Sequence, residues 1–180
     1  FEDRKKFLNA RNTFQTLLSW GVIPIVNEND TVSVEELEFG DNDFLASLLL
    51  NLVEADLFVN LTSAPGVYNA NPDTADDAVC LESIESIGGM DLKEVCGGKT
   101  SSGSGGMYSK LLAAGRAAKL GVPTLILCGK DPDVLTRAMG GEKLGTWVEA
   151  EERSISRKKF WLAYNHVPEG ELVLDPGAVK

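Results

Sequence analysis

The sequence is poor in the residue types that hold metal ions and cross-links. Its 180 residues include one histidine, His166, and three cysteines, Cys80, Cys96 and Cys128. No two cysteines form a CxxC pair, and one histidine is too few for a typical zinc site, so no structural zinc is expected. The odd number and wide spacing of the cysteines indicate reduced thiols and therefore a cytoplasmic protein.

Long hydrophobic runs are also missing. No stretch approaches the roughly 18 apolar residues that a membrane-spanning helix needs, and no secretory signal opens the chain. The first ten residues, FEDRKKFLNA, lack an initiator methionine, so residue 1 is not expected to be the natural start. With 43% hydrophobic residues, the chain is expected to form one globular domain, or one domain plus part of another.

Positive charge is scarce as well. The chain has 17 Lys and Arg against 27 Asp and Glu, which gives a net charge of −10. This acidity repels the phosphates of nucleic acid, so a general DNA- or RNA-binding protein is not expected. It does not exclude an enzyme that binds a nucleotide, because the local field of a pocket can oppose the charge of the whole protein.

Helical and strand-like patterns alternate along the first 150 residues. Helical spacing of apolar residues occurs at 4–19, 44–55, 107–120 and 131–139. Short, continuous apolar runs that predict buried strands occur at 22–26, 56–62 and 122–128. Buried strands that alternate with helices predict neighbouring parallel strands in an α/β sheet covered on both faces. In such sheets ligands bind at the carboxyl ends of the strands.

The pattern changes after residue 150. Residues 151–160 are charged and have no apolar period, which indicates a linker or a solvated helix. Residues 161–180 are typical of the first strands of a small, β-rich unit. The segment RKKFW (157–161) mixes basic and aromatic residues as RNA-binding proteins do, but a solvated linker with one buried tryptophan explains it better. We therefore divide the chain into 1–150, 151–160 and 161–180.

A loop of glycines and serines precedes the helix predicted at 107–120. In SGSGGMYSK (102–110) the glycines lie just before a helix N-terminus, where free N–H groups and the helix dipole attract anions. Lys110 lies about one turn inside that helix, so its ammonium can fold back over the loop. The arrangement suits a phosphate, although the spacing is not that of a Walker A motif. A surface loop with an exposed lysine explains the residues equally well.

Two polar clusters flank the predicted strands and helices. In NEND (27–30), Asn27 and Asp30 offer an amide and a carboxylate that suit the two ends of an amino acid. In DND (41–43), more polar groups precede a helix than an N-cap requires, so one carboxylate could hold a catalytic lysine or accept a proton. Thr62 and the turn after it could shape a base or ribose pocket. Turns and caps explain each of these clusters alone.

Four segments, taken in chain order, form a recognisable set. They are RNTFQTLLSWGVIPIVNEND, FGDNDFLASLL, ADLFVNLTSAPGVY and GSGGMYSKLLAAGRAAKLGVPTLILCG. The set closely resembles the amino acid kinase family, and within it the glutamate 5-kinase branch, for which PIVNEND, GDND and GGMxxK are specific. The tail RKKFWLAYNHVPEGELVLDPGA resembles the linker and opening strands of the PUA domain that follows the kinase domain in many bacterial members.

The resemblance implies a fold and a reaction. The fold is a three-layer α/β/α sandwich with a mainly parallel sheet, N-terminally incomplete here and followed by the start of the PUA domain. The reaction is phosphorylation of the L-glutamate side-chain carboxylate by ATP with Mg²⁺, which gives glutamyl 5-phosphate for proline biosynthesis. The resemblance also implies a cytoplasmic homo-oligomer that proline inhibits and that is functionally linked to glutamyl phosphate reductase.

Roles for individual residues follow from the matching positions. The resemblance implies that Asn27, Asp30 and Asn42 contact glutamate. It implies that Lys110 neutralises charge on the transferring phosphoryl group and that Asp43 organises the catalytic lysines. It implies no metal ligand from the protein. The implied nucleotide-binding residues are Thr62, Ser63, Ser104, Gly105, Gly106, Met107, Tyr108, Ser109 and Lys110.

Two departures from the family pattern leave alternatives open. The family commonly has an aspartate where Ser63 stands, which leaves the nucleotide preference open. The family's N-terminal strand, its Gly-rich phosphate loop with a second catalytic lysine and its serine-bearing loop have no match here, so the chain alone is expected to be inactive. The alternatives are an acetylglutamate, aspartate or carbamate kinase, or a non-catalytic nucleotide- or RNA-binding remnant.

Overall fold

The structure is a computed structural model that describes most of the chain. It describes residues 3–27, 42–72, 74–96, 106–152 and 154–164, together with Gly170 and Gly177. The elements in chain order are α1 (Arg4–Ser19), α2 (Asn42–Val53), β1 (Phe58–Thr62), β2 (Ser83–Ile84), a 3₁₀ turn (Ile87–Gly89), α3 (Leu92–Val95), α4 (Met107–Lys119), β3 (Thr124–Cys128), α5 (Val134–Met139), β4 (Thr146–Val148) and α6 (Arg157–Tyr164). None of the helices in this described part is long and apolar enough to cross a bilayer.

The strands form one mixed sheet of four, in the order β1-β3-β4-β2. β1 and β3 are parallel, in a register that runs from Phe58 opposite Thr124 to Thr62 opposite Cys128. The predicted strands at 56–62 and 122–128 are therefore confirmed as parallel neighbours. β4 runs antiparallel to β3 and parallel to β2. Neither of these two short strands was predicted from the sequence.

The third predicted strand, at residues 22–26, is wrong. The segment has no regular secondary structure, and its apolar side chains are exposed, with Ile23 at 86% and Ile25 at 98%. An apolar run becomes a buried strand only where a neighbouring strand pairs with its backbone and other elements cover its faces. Among the described residues, no strand pairs with this segment, so its β propensity is not realised.

The predicted helices are found with shifts at their ends. α1 begins after Asp3, whose carboxylate accepts a hydrogen bond from the backbone N–H of Lys5 at 2.7 Å, as a capping aspartate does. α5 begins at Val134, three residues later than the predicted start. Its N-cap is Asp133, which has a left-handed backbone at φ 54°.

The main helix pair, α2 and α4, packs beside β1. Ala113 and Ala117 of α4 are fully buried against Leu50 of α2 and Phe58 of β1. Small side chains on α4 let the two helices approach closely. This packing brings Asp43, in the first turn of α2, against Lys110 in the first turn of α4.

Helix α6 covers the other side of α2. Phe160 and Trp161 are buried, and the Trp161 ring lies 6.2 Å from the ring of Phe7 on α1. Neither aromatic side chain is thus available to stack on a nucleic acid base, and RKKFW is not a solvated linker with one buried tryptophan. The helix also crosses the boundary predicted at 160/161, so residues 161–164 are helical rather than β. Apart from two glycines, residues 165–180 lie outside the described residues.

A buried hydroxyl joins the turn after β1 to β4. Thr146 Oγ1 accepts a hydrogen bond from the Val67 N–H at 2.8 Å and donates one to the Leu81 carbonyl at 2.7 Å. Gly66 lies against the same hydroxyl, since a Cβ on Gly66 would lie 2.6 Å from Thr146 Oγ1. Close packing explains this glycine, and no nucleotide is needed to account for it.

Candidate functional site

Asp43 of α2 gathers three side chains from two other elements. Asn60 of β1 donates its amide to Asp43 Oδ1 at 2.9 Å. From α4, Ser109 Oγ lies 2.8 Å from Oδ2, while Lys110 Nζ lies 2.9 Å from Oδ2 and 3.3 Å from Oδ1. The ion pair is largely buried, because the side chains of Lys110 and Asp43 are 13% and 11% exposed. We call these four residues the Asp43 cluster, and it brings the two predicted catalytic residues into direct contact.

The Asp43 carboxylate is surrounded by donors. Burying an ion pair has a desolvation cost, which is offset only where further hydrogen bonds satisfy the remaining lone pairs. Here Asn60 donates to Oδ1, and the Ser109 hydroxyl lies within hydrogen-bond distance of Oδ2. A carboxylate held in this way fixes the position of an ammonium. Of the two roles left open by the sequence, the geometry favours holding a lysine over accepting a proton.

The start of α4 places further donors beside Lys110. Its N-cap is Gly106, which has no side chain to cap the helix. Ser109 Oγ also lies 2.8 Å from the Gly106 carbonyl oxygen, and with a single proton it donates either there or to Asp43. The N–H groups of the first turn and the positive end of the helix dipole therefore lie next to the Lys110 ammonium, an arrangement that suits an oxyanion.

Thr62 and Ser63 lie at the carboxyl end of β1. The Thr62 carbonyl accepts a hydrogen bond from the Gly129 N–H at 2.8 Å, and Ser63 is exposed. Thr62 follows Asn60 by two residues, so its side chain shares the face of β1 that contacts Asp43. Neither Thr62 nor Ser63 hydrogen-bonds to the Asp43 cluster in the described part of the chain. They belong to the same edge of the sheet but form a separate part of it.

The other predicted site residues are found at mixed positions. Asn27 and Asn42 are exposed, and Asn42 directly precedes Asp43. Met107 is partly buried and packs against the hydrophobic core that includes Ile126. Tyr108, the next residue of α4, is partly exposed. Three predicted site residues lie outside the described residues, namely Asp30, Ser104 and Gly105.

Sequence reasoning missed Asn60. It is 5% exposed and lies in the middle of the otherwise apolar run of β1, between Val59 and Leu61. A buried amide must find hydrogen-bond partners, and the partner of Asn60 is Asp43. A single amide inside a buried strand that ends at a ligand-binding edge was the available signal.

A second set of contacts holds the start of α2 in place. The Arg116 guanidinium of α4 lies 4.3 Å from the ring centre of Phe44 and 5.2 Å from that of Tyr164 on α6. It also donates to Ser47 Oγ at 3.4 Å. Burial lowers the pKa of Arg116, an effect that Tyr164 partly opposes. Because Phe44 directly follows Asp43, Arg116 links α6 to the residue next to the cluster.

Comparison with curated sequences finds close relatives. The glutamate 5-kinase of Oleidesulfovibrio alaskensis is 64% identical over 177 residues, which cover 98% of this chain and 47% of the relative. The glutamate 5-kinase of Nitratidesulfovibrio vulgaris is 64% identical over 178 residues, which cover 99% of this chain and 47% of the relative. The chain thus spans about half the length of the curated relatives it matches.

Comparison with solved structures and with family profiles addresses the fold. The UMP kinase from Bacillus anthracis superposes with a TM-score of 0.53 at 16% identity, covering 78% of this chain and 51% of that chain. This likeness supports the fold alone. Residues 1–128 match the sequence profile of the amino acid kinase family. The parallel β1–β3 pair, the helices beside it and this match together show that the chain belongs to the amino acid kinase family.

Proposed function

We propose that the protein transfers the γ-phosphoryl group of ATP to the side-chain carboxylate of L-glutamate and so forms glutamyl 5-phosphate. The observation that carries the proposal is the buried ion pair of Lys110 with Asp43 at the starts of two helices. The choice of glutamate rests on the relatives that are named glutamate 5-kinase and are 64% identical to this chain.

The geometry of the Asp43 cluster suits this reaction. The acceptor is a carboxylate with an ordinary pKa of about 4.3, so it is already deprotonated at neutral pH and needs no general base. One of its oxygens attacks the γ-phosphorus, and the bond from that phosphorus to the β,γ-bridging oxygen breaks. Charge then grows on the phosphate oxygens, where an ammonium held in place stabilises it. The Asp43 carboxylate positions Lys110 and is not required to accept a proton, so the cluster fits a reaction that needs a fixed ammonium and no general base.

The residues present also fit ATP and Mg²⁺. The first-turn N–H groups of α4 and the Lys110 ammonium would hold the phosphates, and Thr62 and Ser63 would lie toward the rest of the nucleotide. Among the described residues, no group of three or more His, Cys, Asp and Glu could hold a metal ion. Mg²⁺ would be bound mainly by the phosphates of ATP and by water, and it would supply charge neutralisation there.

Further properties of the glutamate 5-kinase branch are part of the proposal. They are a role in proline biosynthesis, a cytoplasmic location, inhibition by proline, a homo-oligomeric state and a functional link to glutamyl phosphate reductase. We also propose a kinase part at 1–150, followed by a linker and a PUA-like start, although the boundary predicted at 160/161 falls inside α6. The likeness to that branch is the only support for these properties.

An acceptor assay with the full-length protein tests the proposal. L-glutamate, N-acetyl-L-glutamate, L-aspartate and carbamate are each incubated with ATP, Mg²⁺ and hydroxylamine. Hydroxylamine converts an acyl phosphate to a hydroxamate, which is then detected as its coloured complex with ferric ion. We expect hydroxamate and equimolar ADP with L-glutamate, and at most traces with the other acceptors. Preference for another acceptor would replace glutamate as the substrate. ATP binding without turnover of any acceptor would favour a non-catalytic nucleotide-binding protein.

A further inference from the structure

A cavity with basic side chains around it lies between α1, α2 and α6. It is a cavity of about 90 Å³, and it reaches α2 at Asn51, about 12 Å along that helix from Asp43. Its lining is mixed: Phe7, Leu8 and Trp161 supply apolar surface and Asn51 an amide, and four side chains are basic, namely Arg4, Arg11, Arg157 and Lys158. The cavity therefore holds four of the chain's 17 basic residues, although the chain has a net charge of −10.

The charges around this cavity are only partly balanced. Arg157 forms an ion pair with Glu54, and the Arg4 guanidinium lies 5.5 Å from the centre of the Trp161 ring. No other ion pair to the basic lining residues is found in the described part of the chain. Like charges gathered around a small space repel one another, and an anion between them relieves that repulsion.

Arg11 adds an independent observation. Its Nε is buried and has no hydrogen-bond partner among the described residues. Buried donors are almost always paired, so this N–H is suited to an acceptor that a bound anion would supply. Asn51, in contrast, is committed, because it donates to the Arg157 carbonyl at 3.2 Å and so ties α6 to α2.

We propose that this cavity binds one phosphate-sized oxyanion, either inorganic phosphate or the phosphate group of a small metabolite. A volume of about 90 Å³ accommodates one tetrahedral anion. Guanidinium groups match the oxygens of such an anion in both charge and geometry. Because α1, α2 and α6 each contribute basic or polar groups, the bound anion holds α6 on the body of the domain.

Calorimetric titration of the full-length protein tests this site. Inorganic phosphate is one probe and glycerol 3-phosphate is the other, each at constant ionic strength in chloride buffer. The variants are Arg11→Gln, Lys158→Gln and the control Arg137→Gln, which removes an exposed arginine of α5 that pairs with Glu142. The Asp43 cluster is intact in every variant, so any phosphate bound there contributes equally to all of them, whether or not the protein is a glutamate kinase.

The expected result is a graded loss of phosphate binding. Arg11→Gln should weaken it at least about tenfold, as the loss of a charge-assisted hydrogen bond does. Lys158→Gln should weaken it about two- to fivefold, since an exposed charge is screened. Arg137→Gln should bind like the wild type. Binding of glycerol 3-phosphate with the same variant pattern would identify a metabolite phosphate as an occupant, and its absence would leave inorganic phosphate.

Equal phosphate affinity in Arg11→Gln and Arg137→Gln would overturn the proposal. Circular dichroism shows first whether Arg11→Gln is folded. If that variant is unfolded, Lys158→Gln decides the question, because Lys158 is exposed and its replacement should leave the fold intact.

Discussion

At the scale of single residues, the Asp43–Lys110 ion pair shows how a charged side chain is held in one position. A lysine on a surface helix samples many conformations, and ordering it has an entropic cost. Here the Asp43 carboxylate, itself hydrogen-bonded by Asn60, holds the ammonium at 2.9 Å. Preorganisation of this kind makes an electrostatic contact effective in a transition state.

We expect Lys110→Ala in the full-length protein to lower kcat far more than ATP affinity. The ammonium contributes most as charge grows on the transferring phosphoryl group, and the loss of one preorganised contact typically costs about 3–4 kcal/mol, or 10²–10³-fold in kcat. Lys110→Arg should restore little activity, because a planar guanidinium does not replace a compact ammonium. Steady-state kinetics and ATP calorimetry measure the two effects.

The matched control is Lys119→Ala, which removes an exposed lysine from the last turn of the same helix. It should leave kcat within about twofold, as surface changes usually do. A Lys110→Ala variant with normal kcat would return this residue to the simpler interpretation of the sequence, a lysine on a surface helix with no catalytic role.

At the scale of elements, β4 shows how a strand can depend on one glycine in the turn before it. The strand starts directly after Gly145, which has a left-handed backbone at φ 65°. A Cβ on Gly145 would collide with the Ile126 carbonyl oxygen of β3. Only glycine meets both conditions, so the antiparallel strand depends on this residue.

We expect Gly145→Ala to destabilise the fold by about 3 kcal/mol or more, since left-handed strain and a backbone clash add together. The thermal midpoint, followed by circular dichroism, is the measurement. Gly89→Ala is the control, because a Cβ on Gly89 meets nothing within 4 Å. A similar midpoint for both variants would contradict the role given to Gly145.

The elements that could be predicted are those whose own side chains carry the signal. β3, whose side chains are buried along most of its length, was predicted correctly, as was α1 with its capping aspartate. β4 was missed because three residues, TWV, are too short for a period and because its pairing depends on Gly145. The segment 22–26 has a strong strand pattern, but burial depends on neighbours that a local pattern does not reveal.

At the scale of the whole molecule, the net charge is −10, but the basic side chains are unevenly distributed, since four of them surround one cavity. The composition argues against a general nucleic acid binder, yet it says nothing about where the 17 basic residues lie. The contact of Asp43 with Lys110 was predictable only because segments far apart in sequence matched a known family. Asn60, Arg116 and the cavity at Arg11 depend on how helices pack, which composition and spacing do not encode.

The length of the chain segment between Asp43 and Lys110 has a consequence for evolution and engineering. These residues are 67 positions apart, so their contact closes a long loop. Loop-closure entropy grows only with the logarithm of length, and eight extra residues would cost about 0.1 kcal/mol.

We expect an eight-residue Gly-Ser insertion between the exposed residues Asp76 and Asp77 to leave the kcat of the full-length protein within about twofold. A large loss of kcat in the same assay would mean that this turn does more than connect the chain. If kcat is kept, the turn is a site where a tag or a sensor domain can be inserted without disturbing catalysis.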